Sequence, residues 1–202
     1  MPDGVLSAPV LLTGAVVTAS ALVVALRRLE YEQIPRAAVL SAAFFVSSLI
    51  TVPVGPSSVH LVLNGLMGLV LGWAAVPAIL VALVLQAAFF GFGGLLVLGV
   101  NTMNIALPAL LCSALFGAFL GRYRANGFVI GALAGMLGIT LTGLMVALSL
   151  GLSDPAYSVA AKVILATYAP LLLVEAVVTG AIVGFLWRVA PELLFAMDKP
   201  DE

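Results

Sequence analysis

Long runs of apolar residues dominate this chain, and Pro, Gly and charged residues are confined to the gaps between them. A helix needs roughly 20 apolar residues to cross a hydrocarbon layer of ~30 Å. Runs of that character predict helices near 8–26, 37–52, 58–73, 77–92, 102–121, 127–151 and 160–188. The expected fold is therefore all-α, a polytopic transmembrane helical bundle of about seven spans. Residues 1–202 are read as one integral membrane domain, with a short outer segment at 1–7 and a cytoplasmic tail at 189–202.

Composition changes the picture only by sharpening it. The chain is 63% hydrophobic and 8% charged, with a mean hydropathy of +1.27, whereas a soluble domain carries about a quarter charged residues. A net charge of -1 and the lack of any basic run argue against a nucleic-acid partner. The single cysteine, Cys112, lies in an apolar run and is expected to be small filler. Met1-Pro2-Asp3-Gly4 puts no positive residue ahead of the first apolar run, so that run is expected to stay as a helix and not to act as a cleaved signal.

Orientation follows from the cations, because short cytoplasmic loops carry the Lys and Arg excess. Threading seven spans from outside to inside puts Arg27, Arg28, Arg36, Arg122, Arg124, Arg188 and Lys199 on the cytoplasmic side and only Lys162 outside. The N-terminus is then outside and the C-terminus in the cytoplasm, in the cell membrane. A tight turn at 73–77 predicts a helical hairpin between the third and fourth spans, with Trp73 at the interface. The glycine-broken stretch 91–101 predicts a re-entrant or capping loop, shielded by protein so that its backbone finds partners. Glycines four apart at 68/72, 117/121, 131/135 and 180/184 predict close helix packing. No internal repeat of inverted halves is visible.

Polar groups inside such a bundle are costly and mark candidate sites. His60, the only histidine, stands where an outer loop enters the third span, beside Ser57, Ser58 and Asn64. Its imidazole could ligate a metal, act as a base or simply hydrogen-bond a loop carbonyl, and for a lone histidine the structural use is the commoner, since metal sites need several ligands. Glu175 lies deep in the last span and must pair, protonate or line water, or else tie helices through hydroxyls of the Thr179 type or through backbone groups. Asn101, Thr102 and Asn104 make a polar start to the fifth span, and Gln86 lies inside the fourth; helix capping or hydrogen bonding across helices is the common use of such groups. Asp3, with Gly4 and Ser7, reads as a helix initiator.

Several strings resemble, in order and over nearly the whole chain, the substrate-binding (S) component of nickel/cobalt energy-coupling factor transporters, the CbiM/NikM family. They are Pro2-Asp3-Gly4-Val5-Leu6-Ser7, Gly55-Pro56-Ser57-Ser58-Val59-His60-Leu61 with Asn64-Gly65, Phe92-Gly93-Gly94-Leu95 with Gly99-Val100-Asn101-Thr102-Met103-Asn104, and Glu175 with Thr179-Gly180. The resemblance implies a non-enzymatic receptor that captures Co2+ or Ni2+ as cargo near the outer face. The N-terminal amine, here that of Met1, and a loop histidine, here His60, would supply nitrogen ligands, with Asp3, Ser57, Ser58, Asn64 and Asn101 in support. It also implies a transmembrane coupling (T) subunit, cytoplasmic ATPases and a small two-span membrane subunit as partners. This chain has no Gly-x-x-x-x-Gly-Lys-Ser/Thr loop with which to hold ATP itself.

One departure matters. Members of the family begin Met-His-x-Pro-Asp-Gly, whereas Met1 here is followed directly by Pro2. Either the chain is written from a downstream methionine or the metal site has changed, and two nitrogens alone hold nickel poorly. A different small ligand in the same transporter class, a proton-coupled carrier built on Glu175, and a serine enzyme built on Ser57 or Ser58 with His60 are the remaining readings.

Overall fold

A computed structural model describes residues 1–54, 57–122 and 126–194, without the side chains of 51–54, 57–59, 118, 121 and 122. Arg124, Lys199, Gly55 and Pro56, and the side chains of Ser57, Ser58 and Arg122, thus lie outside what is described. Seven helices run in chain order: α1 Ala8–Arg28, α2 Ile34–Ser47, α3 Asn64–Leu71, α4 Ala75–Phe90, α5 Leu98–Arg122, α6 Gly127–Ser153 and α7 Ser158–Val189. Five stretches are long and apolar enough to cross a membrane: Ala8–Arg28, Asn64–Phe90, Leu98–Gly117, Gly127–Ser153 and Pro155–Val189. The outward faces carry large apolar side chains such as Leu12, Val16, Phe89, Leu148 and Phe185, all exposed, as a lipid-facing surface requires.

Three expected helix bounds are corrected. The third helix does not begin near residue 58. Ser57–His60 is instead a strand, β2, paired antiparallel with β1, Thr51–Val54, in the register Thr51↔His60 and Val54↔Ser57. Pro53 and Pro56 disfavour a helix across this stretch, so the predicted second helix also stops early, at Ser47. At 14 residues, or about 21 Å, α2 is shorter than the hydrocarbon layer. The predicted fifth helix starts sooner than expected, at Leu98, so the loop there is residues 91–97.

The turn after α3 is a sharp break. Gly72 sits at φ 53° and ψ −123°, a backbone shape that strongly favours glycine, and a single 3₁₀ turn, Gly72–Ala74, leads into α4. Trp73 in that turn lies under the Arg28 guanidinium at 5.0 Å, at the C-terminal end of α1. Residues just before α3 and just after α4 instead converge with Met1 at the other end, where His60, Phe92 and Gly93 line one cavity with it. The chain therefore runs down through α3 and back through α4.

Glycine governs the packing. Along α6 and α7, a methyl group at Gly135 would stand 2.6 Å from the Glu175 carbonyl oxygen, and one at Gly131 would stand 2.6 Å from Val183. A methyl group at Gly68 would collide with the Ala109 carbonyl on α5. These backbones meet at contact distance, which replaces the hydrophobic drive missing in lipid. Cys112 is buried, with its thiol on the Ala134 carbonyl at 3.3 Å.

Candidate functional site

The first seven residues do not trail into solvent. Met1 donates its amine to Asn101 Oδ1 at 3.2 Å, and Asn101 Nδ2 donates back to the Met1 carbonyl at 3.2 Å. The carboxylate of Asp3 accepts from the Val97 amide at 3.1 Å and occupies the space a side chain at Gly94 would need. Asp3 is therefore not the initiator of α1. Ser7 is the N-cap residue, without a side-chain cap bond, and Asp3 clasps the 91–97 loop over the chain start. That loop can wrap so closely because Gly91 and Gly93 take positive φ, 64° and 79°.

Beneath this clasp lies a cavity of about 120 Å³, lined by the Met1 and His60 ends of the chain together with Gln86, Asn101, Asn104 and Tyr168. His60 Nδ1 lies 3.0 Å from the Leu61 carbonyl. A carbonyl only accepts, so Nδ1 carries the proton and Nε2 keeps its lone pair. Burial pushes the His60 pKa below its ordinary 6.5, against the pull of the Leu61 carbonyl, and the nearby Met1 amine acts in the same direction. Burial likewise lowers the amine of Met1 below 8.0, partly opposed by the charge of Asp3. Both nitrogens are thereby biased toward the neutral form that binds metals.

The other candidates separate. Asn101 holds the chain start. Asn64, fully buried, is a structural hub: its amide donates to Thr142 Oγ1 at 2.8 Å, Gly138 O at 3.2 Å and Ile105 O at 3.4 Å, and its Oδ1 accepts from Gly65. Asn104 pairs with Ser149, and Thr102 turns back to the Leu98 carbonyl. Among the described residues no three His, Cys, Asp or Glu side chains gather as a metal cluster.

Glu175 is fully buried, and its partners are the backbone amides of Val62 and Leu63. It does not use the Thr179 hydroxyl, which has no hydrogen-bond partner. Leu63 is the one non-glycine residue at positive φ, 51°, among those described, a costly conformation. It turns two successive N–H groups inward as an anion-binding concavity at the start of α3. A carboxylate there satisfies the donors of the extended lead-in 60–63, which in lipid have no water to meet them. Sequence reasoning flagged Glu175 but gave no means of finding its partners, more than a hundred residues away.

The sequence matches the family described as "CbiM: Cobalt uptake substrate-specific transmembrane region" over residues 1–193. It is 40% identical over 197 residues to a Haemophilus influenzae protein named for metal transport, covering 96% of each chain. It is 31% identical to the fused nickel transport protein NikMN of Rhodobacter capsulatus, of which it spans 65%, and 31% identical to the cobalt transport protein CbiM of Sorangium cellulosum, of which it spans 76%. A solved structure of a transition metal transporter superposes with a TM-score of 0.80 at 27% identity, over 98% of this chain and 96% of that one. The resemblance in the opening strings is thus met along the whole length. This chain belongs to the CbiM family, and it is a multi-pass membrane component of cobalt or nickel uptake.

Proposed function

We propose that this chain is the substrate-capturing membrane subunit of an ATP-driven energy-coupling factor transporter, receiving Co2+ or Ni2+ at the outer face. One observation carries the reading: Met1, with its amine, and His60, with its imidazole, far apart in sequence, line one partly open cavity. Amine and imidazole nitrogens suit both ions, and Nε2 of His60 is the free one. The Leu61 carbonyl on Nδ1 fixes the ring tautomer, as partners of metal-binding histidines commonly do.

The chain crosses seven times in this reading. The lead-in 61–63 and the eight residues of α3 together reach about 22 Å, short of the ~30 Å layer, a mismatch that local thinning of the bilayer accommodates, with α4 as the return. The N-terminus faces out and the C-terminus the cytoplasm, because Arg27, Arg28, Arg36 and Arg188 belong to the ends away from the cavity. Arg36 donates to the Leu193 carbonyl at 3.4 Å, tying two of those ends together. A transmembrane coupling subunit and cytoplasmic ATPases supply the energy, with a small two-span subunit as a further partner. A proton-coupled carrier built on Glu175 finds less support, since its carboxylate is engaged by two backbone amides.

The test is calorimetry with CoCl2 and NiCl2 on the purified chain in detergent, beside His60→Ala. Loss of binding in the variant is expected. Equal binding by both proteins would overturn the site.

A further inference from the structure

The two nitrogens proposed above leave coordination positions on a divalent ion that other groups lining the cavity could fill. α4 is apolar at every position except Gln86. Its buried face runs through Ala75, Ile79 and Ala82 to Gln86, at helical spacing, and Gln86 is the step that reaches the cavity. Gln86 is 4% exposed, and its Nε2 has no hydrogen-bond partner. A buried amide left unsatisfied costs about 1–3 kcal/mol, and an apolar residue would have spared that cost. The other amides around the cavity are committed, Asn101 to Met1 and Asn104 to Ser149, as is the Thr142 hydroxyl to Asn64.

We propose that Gln86 is a third donor to the captured ion, through its carboxamide oxygen. Nitrogen and oxygen of a carboxamide exchange by a half-turn of the terminal torsion, so the oxygen reaches the position the nitrogen now holds. This inference rests on the site proposed above and deepens it. Two nitrogens and a neutral oxygen leave room for bound water, and such a mixed set suits six-coordinate Co(II) as well as Ni(II), in contrast to a planar all-nitrogen set that selects Ni(II).

The experiment titrates CoCl2 and NiCl2 into the full chain in detergent, with Gln86→Leu, Gln86→Glu and His60→Ala alongside, and records the visible spectrum of the Co(II) form. Gln86→Leu should weaken Co(II) binding on the order of tenfold or more while melting no lower than the parent protein, since it removes an unsatisfied group. Gln86→Glu, which keeps an oxygen donor at the same reach, should bind at least as tightly as the parent and shift the Co(II) bands. Parental affinity in Gln86→Leu together with loss in His60→Ala would overturn the role of Gln86 and leave the site standing. Weakened binding in both Gln86 variants would also overturn it, because a ligand oxygen would then be present without effect. Parental affinity in all three would overturn the site itself.

Discussion

Replacing Glu175 by leucine tests the most unusual feature of the bundle. The carboxylate is the partner of the Val62 and Leu63 amides, and leucine fills much of its volume while removing both acceptor oxygens. Each buried amide left without a partner costs about 1–3 kcal/mol, so the pair costs about 2–6 kcal/mol, a large share of a typical folding stability. By the scaling for domains of this size, that is roughly 5–20 °C in Tm. Glu175→Gln keeps one acceptor but gives up charge-assisted bonds, worth about 1 kcal/mol more apiece, so it should fall between leucine and the parent. His60 lies two residues before Val62, so the loosened lead-in should also weaken Co(II) affinity in Glu175→Leu on the order of tenfold, which corresponds to about 1.4 kcal/mol. Thermal unfolding in detergent, followed by calorimetry, reads both effects. A leucine variant that melts with the parent protein would refute the view that this carboxylate holds the broken span.

Four further outcomes follow from the same geometry. The His60 and Met1 amine pKa values are lowered by burial, so the unfolded chain binds protons more readily at these two groups, and their share of the stability should rise with pH up to about 8; a Tm advantage of the parent over His60→Ala that narrows from pH 5 to 7 would contradict it. Metal affinity should rise over the same interval, as protons compete for both nitrogens, and a flat calorimetric profile would show that neither nitrogen is a ligand. Gly135→Ala puts a methyl group 2.6 Å from the Glu175 carbonyl oxygen, so α6 and α7 must part at a cost of about 1–3 kcal/mol, seen as a lower Tm. Asp3→Ala removes the acceptor of the Val97 amide; it should weaken metal binding by several fold, since the chain start loses its clasp, while the exposed position of Asp3 keeps the change in Tm within a few degrees.

How far the sequence reached depended on the range of the physics involved. Apolar run length is local, and it located the apolar segments of all seven helices to within a few residues except where proline and glycine intervened. Lipid demands the runs whatever the neighbours do. The third span failed because half of it is not helical. An extended lead-in crosses buried ground only if another part of the chain supplies acceptors, and those come from α7. Nothing near residue 60 announces that supply. The same holds for Asp3: its composition fits an N-cap, yet its partner is the Val97 amide.

His60 and the chain start were legible as candidates because ionisable groups in an apolar chain are few. That few, however, divides by role only in three dimensions. Glu175 and Asn64 both look like site residues in the sequence, and both are spent on backbone and side-chain groups of the bundle. Gln86 looks like an ordinary interhelical hydrogen bonder, yet its amide nitrogen is buried beside the cavity without a partner among the described residues. In a medium where every unsatisfied donor is costly, the polar groups that hold the scaffold reveal themselves by being satisfied. Of the two buried groups left unsatisfied among the described residues, Thr179 Oγ1 and Gln86 Nε2, only Gln86 lines the cavity, which is where cargo could satisfy it.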